Sequence, residues 1–252
     1  MRYKKMLPYQ LREAIEKNVP VVLPLGVLEY HAEHLPLGVD TTVVEIILER
    51  LEAKHPEMVL MPAFCYGSAS YAVADAVSKG SVEIDSMAVC RFAEELFRSL
   101  LEIGFRNIHG FIFHQSENFV QGMPTDLAFR FAARRSLFAF FEKRDGRGWW
   151  GDESMKNYCE GNNPFDYIRI HPLDNAEISR KYPPDHAGKM ETSLMLALAP
   201  GQVDMTHFSP ALWFARDALD ASAEYGEDIT GIYLDNIERI LFDGSNCRAV
   251  KN

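Results

Sequence analysis

The chain has 252 residues, 47% apolar and 25% charged, a balance that fits one folded domain spanning residues 1–252. Its net charge of −10 argues against a nucleic-acid backbone as partner, since that calls for a Lys/Arg-rich surface, and no window approaches the ~20 apolar residues of a membrane span. The basic start lacks the apolar stretch of a signal peptide, and Cys65, Cys90, Cys159 and Cys247 form no CxxC pair, so the thiols read as those of a cytoplasmic protein.

Residues 8 to 17 have the pattern of a short amphipathic helix, and 19 to 26 form an apolar run typical of a strand buried on both faces. That run empties into Glu29, His31, Glu33, His34 and Asp40, five groups able to bind a metal. Glu29 and His31 would share one face if the strand continued through them, and the Pro/Gly-containing segment before Asp40 can fold it back toward the pair. Such a carboxylate and imidazole mixture suits Zn²⁺, Mn²⁺ or Fe²⁺; the alternative is a polar loop with exposed histidines.

Val43, Ile47 and Leu51 mark the next helix, with Asp40 or Thr41 as N-cap. A strand is predicted over 57 to 62, a helix over 84 to 101 with Asp85 as N-cap and Gly104 as stop, and a third strand over 107 to 114. His114 therefore ends a strand, where ligands of open α/β sheets gather. A helix follows over 124 to 142. Residues 145 to 163, rich in Gly and Asn and containing Trp149 and Trp150, read as a functional loop or subunit contact. A short strand over 165 to 170, a helix holding Glu191 in its first turn and a helix over 228 to 241 complete the chain. The alternation predicts an α/β fold, a three-layer α/β/α domain.

Three segments carry candidate chemistry: Glu29-Tyr-His31 with Asp40, His114 with Glu117, and His186 with Glu191. Together they resemble the creatininase (creatinine amidohydrolase) family. The likeness runs from the Pro-Leu-Gly-x-x-Glu-x-His-x-x-His-Leu-Pro-Leu-Gly-x-Asp block at 24 to 40 to the His-Ala-Gly-x-x-Glu-Thr-Ser block at 186 to 193. The resemblance implies a mainly parallel central sheet, two divalent ions per chain (Zn, Mn or Fe) and hydrolysis of a non-peptide C–N bond in a small, cyclic or linear amide. By the same resemblance Glu29, Asp40 and His114 would hold one ion, and His31 the second with Asp40 as a bridge. Either Glu117 or Glu191 would complete that second site, Glu191 being favoured. His186 would shuttle a proton, with Glu117 the other candidate catalytic group. Family members tend to form homo-oligomers, often hexamers.

The middle segment departs from the pattern. Relatives carry Asn-Gly-His-Gly-Gly-Asn or Asn-Gly-His-Tyr-Glu-Asn where this chain has Ile112-Phe-His114-Gln-Ser-Glu117-Asn118. Two other readings therefore stand beside the amidohydrolase: a degenerate member acting as a binding or structural protein, and a deformylase or peptidase of cofactor maturation. Glu33 is expected in solvent, and His34 is expected to orient a metal-bound carboxylate. His55, His109, His171 and His207 have no partners at useful spacing. For His186 the competing expectation is a bond to Asp185 or to backbone.

Overall fold

Strands β1 (Val21–Leu25), β2 (Val59–Leu60), β3 (Ile108–Ile112) and β4 (Ile168–Pro172) form one parallel sheet in the order β2-β1-β3-β4. The computed structural model describes residues 1–114, 121–158 and 163–242. Every residue of β1 and β3 is buried because helices cover both faces of the sheet. On one face Val21, Leu23, Leu25, Ile108 and Ile112 pack with α1 (Pro8–Glu16), α3 (Ser86–Ile103) and α4 (Pro124–Asp145). On the other, Val22, Leu60 and Phe111 pack with α2 (Val39–Lys54), α5 (Ala176–Lys181), α6 (Lys189–Leu198) and α7 (Ala223–Phe242). The expected three-layer architecture follows from this alternation.

The chain leaves β1 toward β2 by way of α2 on one face, and later moves from β3 to β4 by way of α4 on the other. Right-handed crossovers running in opposite directions require opposite faces, so the strand order reverses between β1 and β3. Leu25 and Ile112 are paired there. The segments leaving both strands therefore start side by side.

Most boundaries follow local chemistry. Asp85 caps α3 by accepting from the Met87 and Ala88 amides, and Gly104, at φ +123°, ends it. Pro24 is tolerated inside a central strand because β2 ends at Leu60, leaving no ladder partner opposite the missing donor; the flanking bonds are Met61 N–H to Val22 O and Phe64 N–H to Pro24 O. Farther on, Gly226 of α7 meets α6 so closely that a Cβ would stand 2.0 Å from the Ser193 carbonyl oxygen.

Two expectations are corrected. Helix α2 begins at Val39 with Gly38 at its cap, so Asp40 lies inside the first turn and neither it nor Thr41 is the N-cap. The fourth strand starts at Ile168, because Asn163 caps a 3-10 turn over Pro164–Asp166. Trp149 stacks on Phe141 at 4.5 Å and joins the α4 core, while Trp150 is half exposed. Cys65 and Cys90 are free thiols, and among the described residues no helix is long and apolar enough to cross a membrane.

His109 and His171, neighbours on β3 and β4, share a hydrogen bond: His171 Nε2 and His109 Nδ1 are 3.1 Å apart, while His109 Nε2 donates to Asn107 Oδ1 at 2.8 Å. Burial, helped by the positive Arg169, holds both rings below the ordinary histidine value, His171 at about 3. An unfolded chain protonates these rings below about pH 6.5 while the folded one does not, so their contribution is intact above that pH and lost as pH falls toward 3. Urea denaturation of His171→Gln should therefore show the stability loss between pH 6.5 and 5 reduced by about 2 kcal/mol relative to wild type. An unchanged pH dependence would mean that His171 is protonated in the folded state.

Candidate metal centre

The switch between β1 and β3 determines which side chains meet. Beyond Leu25 the chain does not continue as a strand, so Glu29 and His31 are placed by irregular backbone, with Glu29 N–H bonded to Leu37 O at 2.9 Å and Ala32 at φ +60°. Asp40 arrives on the first turn of α2, His114 two residues beyond β3, and Glu191 on the first turn of α6. All five side chains are buried. Each of two trios, Glu29/Asp40/His114 and His31/Asp40/Glu191, offers three ligand atoms within 4.8 Å of one another, and Asp40 belongs to both.

Asp40 uses a different oxygen toward each trio. Its Oδ2 lies 3.2 Å from His114 Nδ1, which is also 3.1 Å from Glu29 Oε1. Its Oδ1 lies 3.5 Å from His31 Nε2, itself 3.5 Å from Glu191 Oε2. His31 Nδ1–H donates to the Glu29 carbonyl oxygen at 3.0 Å, which leaves Nε2 as the nitrogen aimed at the carboxylates. That Nε2 is buried and has no hydrogen-bond partner among the described residues.

These spacings fit divalent ions. Donor atoms each about 2.1 Å from one tetrahedral ion stand roughly 3.4 Å apart, a separation too long for strong hydrogen bonds but matched around His31 Nε2. Charge argues the same way, because three buried carboxylates need cationic compensation. In the metal-free chain the imidazoles supply it. Burial would lower both, but Glu191, Asp40 and Glu29 raise His31 to about 10, and hydrogen bonds to Asp40 and Glu29 raise His114 to about 10. Burial would raise Asp40, yet His31 and His114 hold it far below the usual carboxylate range. Glu191, at the anionic end, is pushed up to about 8 by burial, with Asp185 and Asp40 adding to the effect against the opposing His31.

His186 stands beside both trios. Its ring stacks on His31 at 4.4 Å, and its Nε2–H donates to the Tyr30 carbonyl oxygen at 2.7 Å, so the backbone bond entertained for it exists. Nδ1 is left facing Glu29 Oε1 at 4.0 Å. Burial, then the charge on His31, lowers its pKa and favours the neutral ring. The opening is a cavity of about 430 Å³ lined by Glu29, Asp40, His114, His186 and Glu191 together with Ser70, Val73, Phe113, Asp174 and Asp185, among others.

Glu117 lies outside the described residues. Glu33 is exposed as expected, bonded to Lys79 and to Tyr30 Oη. His34 does not orient a carboxylate directly: it pairs with Thr192 Oγ1 at 3.0 Å, one residue from Glu191. His55, His109, His171 and His207 pair away from the cavity, His55 with Glu238 and His207 with Asp204. Asp185 entered the sequence reading only as a possible partner of His186. Its carboxylate accepts from the Gly188, Met190 and Glu191 amides, tying the His186 turn to the start of α6, and the only sequence signal was an acidic residue shortly before a helix.

The chain is also similar to known proteins. The chain matches the family model described as creatininase, creatinine amidohydrolase, over residues 4–238. A creatinine amidohydrolase of Pseudomonas putida is 26% identical over 206 residues, covering 78% of this chain and 70% of that protein. A solved structure named Creatininase Mn superposes with a TM-score of 0.70 at 20% identity, over 96% of this chain and 98% of the other. A creatininase mutant complexed with creatine gives 0.69 at 19% identity, over 96% and 97%. At these identities the structural likeness is one of fold.

If the trios hold ions, Zn²⁺ at about 100 times its dissociation constant should stabilise the metal-stripped protein by about 2.7 kcal/mol. Thermal melts should show Asp40→Asn losing most of that gain. An equal zinc-induced shift in the variant would place the stabilising ion elsewhere.

Proposed function

The chain belongs to the creatininase family, hydrolases of carbon–nitrogen bonds other than peptide bonds, and from that membership we propose that it cleaves a small amide, cyclic or linear, at a dinuclear metal centre. The observation that carries this reading is the sharing of Asp40 by two ligand trios. Glu29, Asp40 and His114 would hold one ion and His31, Asp40 and Glu191 the other, with Zn, Mn or Fe suited to the mixed donor set. Bound there, the pair would activate a bridging water and polarise the amide carbonyl.

The rest of the chemistry falls to the protein. Hydrolysis adds water across the C–N bond, so a proton must move from the nucleophile to the leaving nitrogen. His186 is built for this transfer: the Tyr30 carbonyl fixes the Nε2–H tautomer and leaves Nδ1, at the cavity wall, with no hydrogen bond among the described residues. A pKa held below the ordinary histidine value keeps Nδ1 ready to accept and makes the protonated ring quick to donate. Glu29, 4.0 Å away, supports the transient imidazolium. No Lys or Arg is among the described lining residues, and Asp174 and Asp185 add carboxylates to the wall, which favours neutral or cationic amides over anionic ones.

The complete described trios speak for an enzyme rather than a degenerate binding protein, despite the altered residues after His114. A deformylase or peptidase could share this centre, but a cavity of about 430 Å³ suits a small substrate better than a chain. We place the protein in the cytoplasm, where Cys65 and Cys90 would stay reduced. A homo-oligomer, a hexamer on the family tendency, would have a contact face available in Leu127, Phe131 and Phe138 along exposed α4.

Two measurements test the reading. Metal analysis should find two divalent ions per chain, and Asp40→Ala should retain fewer and lose activity on a panel of small amides, creatinine included, by ~10³-fold or more; full activity without metal would refute it. His186→Gln should keep both ions and a near-normal KM while kcat falls ~10²- to 10⁴-fold. A loss confined to KM would assign His186 to substrate binding instead.

A further inference from the structure

A third group of metal-ligand atoms lies within 4.8 Å of one another: Glu29, His31 and His186. Glu29 and His31 already belong to the Asp40 trios, so His186 is the new member. With Nε2–H held by the Tyr30 carbonyl, its lone pair is on Nδ1, which makes no hydrogen bond among the described residues and stands 4.0 Å from Glu29 Oε1. The stack on His31, with 26° between the rings, fixes that direction. The same Glu29 Oε1 also faces His114 Nδ1 at 3.1 Å, so a further ion here would share the Glu29 carboxylate with the His114 trio. A bare imidazole nitrogen beside a carboxylate oxygen is a donor pair for a borderline cation such as Zn²⁺. The cavity wall opposes no such cation with a Lys or Arg among its described lining residues, and Asp185 lies in the same wall.

We propose that Glu29 and His186 form a weaker, inhibitory site for a further divalent ion at the mouth of the metal centre. The inference rests on the dinuclear reading above. Coordination uses the Nδ1 lone pair, the same pair of electrons that otherwise accepts the proton, and displaces only water from the incoming ion. An enzyme so loaded keeps its two resident ions and loses its proton carrier. Two protein donors in place of three, next to resident cations, make this site roughly tenfold or more weaker than the trios. Metal supply then sets activity in both directions: too little empties the trios, and too much blocks His186.

The test is a Zn²⁺ titration of the metal-stripped full chain, followed by calorimetry and in parallel by activity. Wild type should bind two tight ions and then a weaker one whose saturation coincides with loss of activity. His186→Gln, which keeps a donor for the Tyr30 carbonyl but has no Nδ1, should bind the two tight ions and lose the weaker step. The two tight ions report that the variant is folded. Surface pairs such as His207 with Asp204 and His55 with Glu57 can also collect zinc, so the difference between the two proteins is the readout. A weaker step that persists unchanged in His186→Gln, or a wild type that stops at two ions and stays active in excess zinc, would overturn the inference while leaving the dinuclear reading intact. Fewer than two tight ions in wild type would instead overturn that reading, and the inference with it.

Discussion

Three carboxylates buried within a few ångströms of one another are the constraint from which the rest of this structure follows. Glu29, Asp40 and Glu191 are each less than a tenth exposed, and carboxylates taken out of water need a positive partner. His31 and His114 stand where such a partner is required, and their raised pKa values measure how strongly the pocket demands positive charge. Asp40 is the pivot because its two oxygens face different imidazoles. The sheet supplies the meeting place: where the strand order reverses, the chain leaving β1 and the chain leaving β3 are adjacent, and α2 and α6 point their first turns into the same gap.

What could be read from the sequence divides along the range of the physics. Local rules located α1, α3 and α4 to within a few residues, since Pro8, Asp85, Gly104 and Pro124 act on their own neighbourhoods. The same rules misplaced the start of α2. Asp40 looks like an N-cap, but its carboxylate is engaged by His114, 74 positions away, and Gly38 takes the cap. The condition for Glu29 and His31 to share a strand face is not met, because β1 ends at Leu25, and the turn at Ala32 does the placing instead. The density of ligand types between 29 and 40 was plain; that Glu191 would meet His31 was suggested by family likeness alone. Nothing in residue spacing pointed to Asp185, whose three amide contacts are made with the turn that follows it.

Two histidines of the centre are each followed by an alanine in the left-handed region, Ala32 at φ +60° and Ala187 at φ +56°. A side chain there costs on the order of 1–2 kcal/mol relative to ordinary backbone, and it persists only where surroundings impose it. Both alanines are buried, and each bends the chain sharply just after its imidazole. At Ala187 the imposing contacts are visible, since its amide donates to Glu191 Oε2 at 2.7 Å while Asp185 binds the next amides. The strain and the site have one origin: His186 and Glu191 cannot both face the cavity unless the intervening chain doubles back.

Gly226 extends the site's reach well beyond the cavity. A methyl group at that position on α7 would stand 2.0 Å from the Ser193 carbonyl oxygen, so α7 sets the depth at which α6 can lie. Glu191 is two residues from Ser193 and shares a ligand trio with His31 and Asp40. The spacing of two helices thus gauges the spacing of a ligand set, and position 226 is closed to mutational drift for reasons of coordination geometry as much as of packing.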